Sequence, residues 1–326
     1  NVSHLMWNAC TVRNEVWAGI DPRGTLVAIR RYPEGSPRLY TEQGMGVDDW
    51  GGLVSRVFVT GPARFMDIGQ ELPAQLAMLL RVNPDYFLSY PTNLELLGRM
   101  LGDRREGLTR LKLVQTIGEL LPLDTRDTIE EAFGAPVHDL YSCVEVGCIA
   151  SQCPSGSGYH VHEENVLLEV IDEAGRPCPP GGMGRIVVTS LVNFAFPVIR
   201  YDVGDYATLA DGPCPCGRNL LGLREIIGRK RGRILMPDGR TKYPVGVTRV
   251  MRLTEAVRQY MVIQHERTRF EVIIVPRQSF RAEHEEQVRE RFRLLVGVPV
   301  EVSFTFVDHI ERTPGGKYLD FVCKAQ

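Results

Sequence analysis

DLYSCVEVG, residues 139 to 147, closes an apolar run and turns into a glycine-containing loop, and the chain changes character there. Upstream, short β-rich runs at 26 to 29, 57 to 60, 86 to 89, 113 to 116 and 137 to 141 alternate with helical patterns. That alternation predicts a parallel sheet with flanking helices. Leu72, Leu76, Leu79 and Leu80 recur at helical spacing, and a helix over 124 to 133 starts on an acidic cap and stops at Gly134. The chain also opens inside a helical pattern carried by Leu5, Met6, Trp7, Val12, Val16 and Trp17. Downstream of Tyr141, strands are broken by glycine and proline, with a hairpin turn at 172 to 176, so a β-rich subdomain over about 142 to 228 is expected. Beyond it, helix (247 to 260), strands (262 to 265 and 270 to 275), helix (283 to 296) and strand (301 to 307) predict a small α/β C-terminal domain over 229 to 326. The larger N-terminal unit takes 1 to 228.

A chain of 326 residues, 44% hydrophobic and 24% charged, exceeds what one core usually organises, in line with two domains. Its formal charge of -2 and the shortness of its longest basic run, 228 to 233, argue against a nucleic-acid footprint. No stretch reaches the roughly 18 apolar residues of a membrane helix, and residues 1 to 30 lack the order of a signal peptide. A cytoplasmic protein with no membrane partner is expected, and the start at Asn1 within a helix suggests a preceding segment. Small-molecule chemistry fits this balance best.

Four segments could carry that chemistry. In 139 to 147, Tyr141 offers an aromatic face for a purine, and Glu145 offers oxygen to Mg²⁺ at the place where α/β sheets usually bind ligands. A core tyrosine and a solvated glutamate would look the same. In FPVIRYDVGDYATL, 196 to 209, an apolar strand delivers Arg200, Tyr201, Asp202 and Asp205 around a glycine turn. A carboxylate there can accept both hydroxyls of a ribose, and a plain surface turn is the alternative. In IIGRKRGRILMPDGR, 226 to 240, a Gly-Arg pair at a domain junction suits a nucleotide-binding hinge, and a basic hairpin accounts for it equally. In IERTPGGKYLDF, 310 to 321, Lys317 follows a Pro-Gly-Gly turn, where a point charge can meet a phosphate, and an ordinary surface lysine is the default alternative.

Taken in order and spacing, these segments resemble the adenylate-forming superfamily, and its phenylacetate–coenzyme A ligase branch in particular. The likeness is densest over YSCVEVGCIASQCP, GYHVHEENVLLEVID, PVIRYDVGD, CPCGR and GRKRGR and resumes at RTPGGKY, while residues 1 to 138 match more loosely. It implies that Tyr141 stacks on adenine, Glu145 holds Mg²⁺ and phosphate, Asp205 binds the ribose with help from Arg229, Gly147 belongs to the nucleotide site, and Lys317 is catalytic. The implied reaction joins a carboxylic acid, such as an aryl acid, to ATP as an acyl adenylate. After the mobile C-terminal domain turns, coenzyme A displaces AMP. Tyr90, Pro91 and residues 147 to 150 would line the acyl pocket by the same resemblance. The alternatives are transfer of the acyl group to another nucleophile, or a nucleotide-binding remnant without catalysis. Two departures stand out. The family's Ser/Thr/Gly-rich phosphate loop, expected just upstream of Asn1, is not in the chain, and Val144 occupies a position that relatives give to Ser or Thr.

Eight cysteines without a secretory signal suggest reduced thiols or metal ligands. Cys153 and His160 flank a Gly/Ser turn, and Cys214 and Cys216 bracket Pro215. Three thiolates and an imidazole would complete a tetrahedral structural Zn²⁺ site, with four reduced, partly buried residues as the alternative. Some members of the ligase branch resemble this chain in carrying such a site. Cys143 and Cys148 are spare candidates, Cys148 being placed at the nucleotide pocket, and Cys10, Cys178 and Cys323 are read as structural. His4, His138, His162, His265, His284 and His309 are read as surface or packing residues.

Overall fold

A computed structural model describes residues 2–32, 41–156, 158–172, 174–229, 234–242, 256–277, 279–311 and 321–325, without the side chains of residues 123, 124, 229, 241 and 242. The chain forms two compact units, Asn1–Ile227 and Gly228–Gln326.

The first unit begins with α1 (Val2–Trp17), followed by β1 (Leu26–Arg30), β2 (Met45–Val47), the single turn α2 (Val54–Val57) and β3 (Ala63–Asp67). Then α3 (Leu72–Val82), β4 (Tyr86–Ser89), α4 (Pro91–Leu101), β5 (Leu113–Ile117), α5 (Leu123–Phe133) and β6 (Val137–Cys143) alternate as strand and helix. Strands β3, β1, β4, β5 and β6 lie side by side in that order and pair in parallel, with β2 antiparallel on the edge. The apolar stripes of α3, α4 and α5 pack on one face, where Leu76, Leu79, Leu94, Leu97 and Ile129 meet Val27, Phe87 and Val114.

Three readings of the sequence need correction here. Residues 57 to 60 are not a strand: Val57 ends α2, and Val57 and Val59 are 54% and 83% exposed. The strand starts only at Ala63, after Gly61 and Pro62. Asp124 lies inside α5, whose N-cap is the extended residue Pro122. Residues 196 to 200 form a loop, and the apolar side chains of Phe196 and Ile199 stand 74% and 72% exposed.

The β-rich region continues the same sheet. β7 (Gly147–Gln152), β8 (Tyr159–Val161), β9 (Val166–Ile171), β10 (Met183–Ser190), β11 (Tyr201–Leu209) and β12 (Gly222–Arg229) extend it in the order β6-β7-β8-β12-β11-β10-β9. The expected turn at 172 to 176 is present, with Asp172 Oδ1 accepting from the N–H groups of Ala174 and Arg176, both at 2.9 Å. A second core, including Ile149, Val161, Leu168, Ile186, Val203 and Leu223, is formed by side chains of these strands.

The second unit carries the hairpin β13 (Ile234–Leu235) and β14 (Thr241–Lys242), turned by Pro237, Asp238 and Gly239. Its sheet has the order β17-β16-β15-β18, from β15 (Val257–Glu266), β16 (Arg269–Pro276), β17 (Glu301–Phe306) and β18 (Phe321–Cys323). Helix α6 (Ala282–Val296) crosses from β16 to its parallel neighbour β17 and buries Val288, Phe292 and Val296 against Phe270 and Val272. The helix read over 247 to 260 is corrected at its end. Val257 to Tyr260 belong to β15, where the backbone pairs antiparallel with β16 from Val257 opposite Pro276, and residues 247 to 255 lie outside the described residues. Among the described residues, no helix is long and apolar enough to cross a membrane.

Helix α1 lies over β5, β6 and β7. Its buried Asn14 accepts from His138 Nε2–H of β6 at 2.8 Å, and the Gln115 amide of β5 approaches Glu15 at 3.4 and 3.5 Å. Desolvation, aided by the charge of Arg126, holds the His138 pKa down to about 4 from 6.5. Between those values the unfolded chain binds the proton and the folded chain does not, so this residue's contribution to stability falls with pH over that window. Glu15 is only half-buried, yet desolvation under α1 raises its carboxyl to about 7, with the opposite sign. A comparison of the native chain with His138→Gln removes the Glu15 effect, which both share. The difference in their unfolding free energies should fall by about 3 kcal/mol between pH 7 and pH 4. Urea melts at each pH measure it, and a pH-independent difference would refute the buried neutral imidazole.

Candidate functional site

The candidate site forms where β6 and β11 face each other. Four inter-strand steps separate them in the sheet (β6-β7-β8-β12-β11), about 19 Å if the sheet were flat. Yet Tyr141 O–H on β6 donates to Asp205 Oδ2 on β11 at 2.7 Å. The sheet must therefore curl until its two parts meet across the second core, against which Tyr141 packs.

Both strands are irregular at the residues that meet. On β6, Tyr141 pairs with Ala150 but Ser142 pairs with Cys148, so β7 carries one extra residue there. On β11, the register jumps from Tyr206 opposite Arg185 to Asp202 opposite Val187, and Gly204, with φ +83°, lies within the jump. Bulges of this kind re-aim side chains. They account for Asp205 leaving the regular sheet face mid-strand, where the sequence reading had placed it at a turn.

A second pair repeats the pattern. Tyr201, the first residue of β11, donates its O–H to Glu145 Oε1 at 3.0 Å. Glu145 is exposed in the loop between β6 and β7, with Val144 wholly exposed on one side and Val146 buried on the other. Each stretch thus supplies one phenol and one carboxylate. Sequence reasoning noted Tyr201 but gave it no role, because its partner lies 56 residues away.

Behind this surface lies a buried network. Asp139 accepts from Thr116 Oγ1–H at 2.5 Å and from Tyr159 O–H at 2.7 Å. Burial raises both the Asp139 carboxyl and the Tyr159 phenol. Gln152 Oε1 accepts from the Asp139 N–H at 3.0 Å and from Arg126 at 2.8 Å. Four neighbouring strands are pinned together immediately before Tyr141.

Cys153, His160, Cys214 and Cys216 also converge, each offering a ligand atom within 4.8 Å of the others. The Sγ atoms of Cys153 and Cys214 are 3.7 Å apart, and His160 Nε2 is 3.2 Å from Cys216 Sγ. A tetrahedron of ligands at the usual Zn–S length has an edge of about 3.8 Å, so the set fits a small soft cation. Cys153 and His160 are buried, and Ser155 Oγ lies 2.8 Å from Cys153 Sγ. The buried His160 Nδ1 has no hydrogen-bond partner among the described residues, and its ring meets Trp17 edge-on with centroids 6.0 Å apart. The guanidinium of Arg218 lies 4.6 Å from the Trp17 ring centre, tying the C-x-C loop to α1.

Cys148 is wholly buried and held against Cys10 of α1, which raises its thiol pKa, so it does not face the candidate site. Burial likewise pushes the Cys143 thiol up to about 11. A second grouping was missed: Cys10, His162 and Glu164 also lie within 4.8 Å of one another. Arg13 reaches into it and bonds both His162 and Glu164, so a cation is already in place. The residues read as an acyl pocket are largely packed: Tyr90 is buried, its hydroxyl accepting from the Arg31 N–H at 3.1 Å, and Cys148, Ile149 and Ala150 have no exposure. Lys317 lies outside the described residues, as does the side chain of Arg229.

The comparisons with known proteins fall on this architecture. The CapK C-terminal domain family matches residues 234–324. A phenylacetate–coenzyme A ligase of Thermus thermophilus is 30% identical over 143 residues, covering 42% of this chain and 32% of that protein. Protein CapK of Staphylococcus aureus is 22% identical over 259 residues, covering 76% of this chain and 55% of that protein. The chain therefore spans about a third to just over half the length of these relatives. A solved structure of 2-hydroxyisobutyryl-CoA ligase in the postadenylation state, in complex with 2-HIB-AMP, superposes with a TM-score of 0.75 at 21% identity, covering 99% of this chain and 70% of that one. The chain shares the fold of that solved coenzyme A ligase. Within that fold, the sequence similarity runs to proteins named phenylacetate–coenzyme A ligase and CapK.

Gly147 opens β7 beneath this site with φ +83°, and a Cβ there would stand 2.8 Å from the Trp7 ring. Both the backbone and the indole exclude a side chain. Gly147→Ala should lower the unfolding free energy by about 2 kcal/mol. Chemical denaturation reads this directly, and an unchanged midpoint would contradict the placement of Trp7.

Proposed function

We propose that the chain carries the nucleotide-binding part of an ATP-dependent carboxylate:coenzyme A ligase. The acid would attack the α-phosphate of ATP to give an acyl adenylate and pyrophosphate, and coenzyme A would then displace AMP. The observation that carries this reading is the 2.7 Å contact of Tyr141 with Asp205 across the curled sheet, beside Glu145. It brings an aromatic ring, a ribose-sized carboxylate acceptor and an exposed carboxylate to one place. Names among the relatives support an aryl acid such as phenylacetate as the substrate, and a cytoplasmic location belongs to the same reading.

In this scheme Tyr141 lies on the adenine and Asp205 accepts the ribose hydroxyls, with Arg229 assisting. Glu145 is the oxygen ligand to Mg²⁺, which when bound screens the phosphate charge. Lys317, on the small unit from residue 229 onward, meets the phosphate during adenylation, and that unit turns to admit the thiol. Calorimetric titration of the chain with AMP tests the core of the proposal. Saturable binding is expected, and Asp205→Asn should weaken it by about tenfold or more, because a hydrogen bond to a charged acceptor is lost. Equal affinity in the two proteins would remove Asp205 from the site.

Cys153, His160, Cys214 and Cys216 would hold structural zinc, which joins the loop after β7 to the loop before β12. The distances above support this role, and the metal has no part in the chemistry. After loading with zinc and gel filtration, emission spectroscopy should find about one zinc per chain, and almost none in the double variant Cys214→Ser, Cys216→Ser. Equal zinc in the two would exclude these ligands.

A further inference from the structure

We infer that Tyr201 aims the Glu145 carboxylate at a divalent cation, a positioning role that rests on the nucleotide reading above. Tyr201 and Glu145 are both exposed, so the 3.0 Å bond between them exchanges water contacts for a protein contact and adds little to the fold. What it does is fix a direction. Glu145 lies in a turn between exposed Val144 and buried Val146, and its side chain has three torsions to order. Tyr201 has two, on a backbone that is held firmly.

That hold is visible at Arg200. This residue sits at φ +46°, in the left-handed region that L residues enter at a cost. Its N–H donates to Thr189 Oγ1 at 2.9 Å, and its guanidinium forks onto Glu169 at 3.0 and 3.2 Å. These contacts offset the strained turn, and the turn leads the chain into β11 with the Tyr201 hydroxyl at Glu145. A carboxylate that ligates a metal works best when an outer hydrogen bond orients it, and loss of such a partner typically weakens the metal about 10- to 100-fold.

The two phenol–carboxylate pairs are separate, which makes the role testable. Tyr201→Phe removes one oxygen and leaves the Tyr141–Asp205 bond in place. The measurement is the affinity of the chain for AMP in EDTA, and for ATP with and without Mn²⁺. The native chain should bind ATP more tightly with Mn²⁺. In Tyr201→Phe that enhancement should fall by about tenfold while AMP affinity changes by less than about twofold. Glu145→Gln should show the same loss, and the double variant no further loss, because the two residues act as one unit.

Wild-type enhancement in Tyr201→Phe would overturn the inference. So would an equal weakening of AMP and ATP, which is the mark of a merely structural residue, or the lack of any Mn²⁺ effect in the native chain. Failure of the native chain to bind either nucleotide would sink the nucleotide reading itself. That failure is distinguishable because it precedes any substitution.

Discussion

A curled sheet that brings β6 against β11 is the constraint on which the candidate site depends. Hydrogen bonds such as that of Tyr141 to Asp205 close the gap, and the work of curling falls to the apolar residues inside it. Ile149, Val161, Ile186, Val188 and Leu223 have almost no exposure and come from four different strands. Their burial outweighs the two phenol–carboxylate bonds by a wide margin, since each large apolar side chain is worth about 1.5 to 3 kcal/mol and an exposed hydrogen bond about 1. The core thus decides that the strands meet, and the bulges at Tyr141 and Gly204 decide which side chains meet.

Helix α1 supports the same region from behind. It touches β5 through Glu15, β6 through Asn14 and β7 through Cys10. Its last residue, Trp17, lies under the guanidinium groups of Arg13 and Arg218, with His160 and His162 beside it. The indole is therefore the joint between the helix, the C-x-C loop and the histidines of β8 and its exit. One aromatic ring connects the cysteine cluster to the helix whose Asn14 is bonded to the strand that carries Tyr141.

The parallel half of the fold was legible because its strands and helices repeat with clean periods and end at glycine or proline. Where apolar residues face water the reading failed, as at Val57, Val59, Phe196 and Ile199. A sequence shows hydrophobicity, and burial is a property of the fold. The cysteine cluster could be found because its ligands sit among glycines and prolines at short spacings. The grouping of Cys10, His162 and Glu164 has no such spacing, since α1 brings it together from a distance. Tyr141 and Asp205 stood out from a resemblance, but their 2.7 Å contact could not be foreseen without the curl. The role of Tyr201 was hidden for the same reason.

The cysteine cluster spans 61 residues of chain between Cys153 and Cys214, and synthesis runs in one direction. At a translation speed on the order of ten residues per second, Cys153 and His160 leave the ribosome several seconds before their partners exist. During that interval the early thiol has no mate, while the strand carrying Tyr201 and Asp205 is still being made. The order of manufacture therefore leaves this part of the newborn chain open to oxidants and stray metals until the last loop arrives.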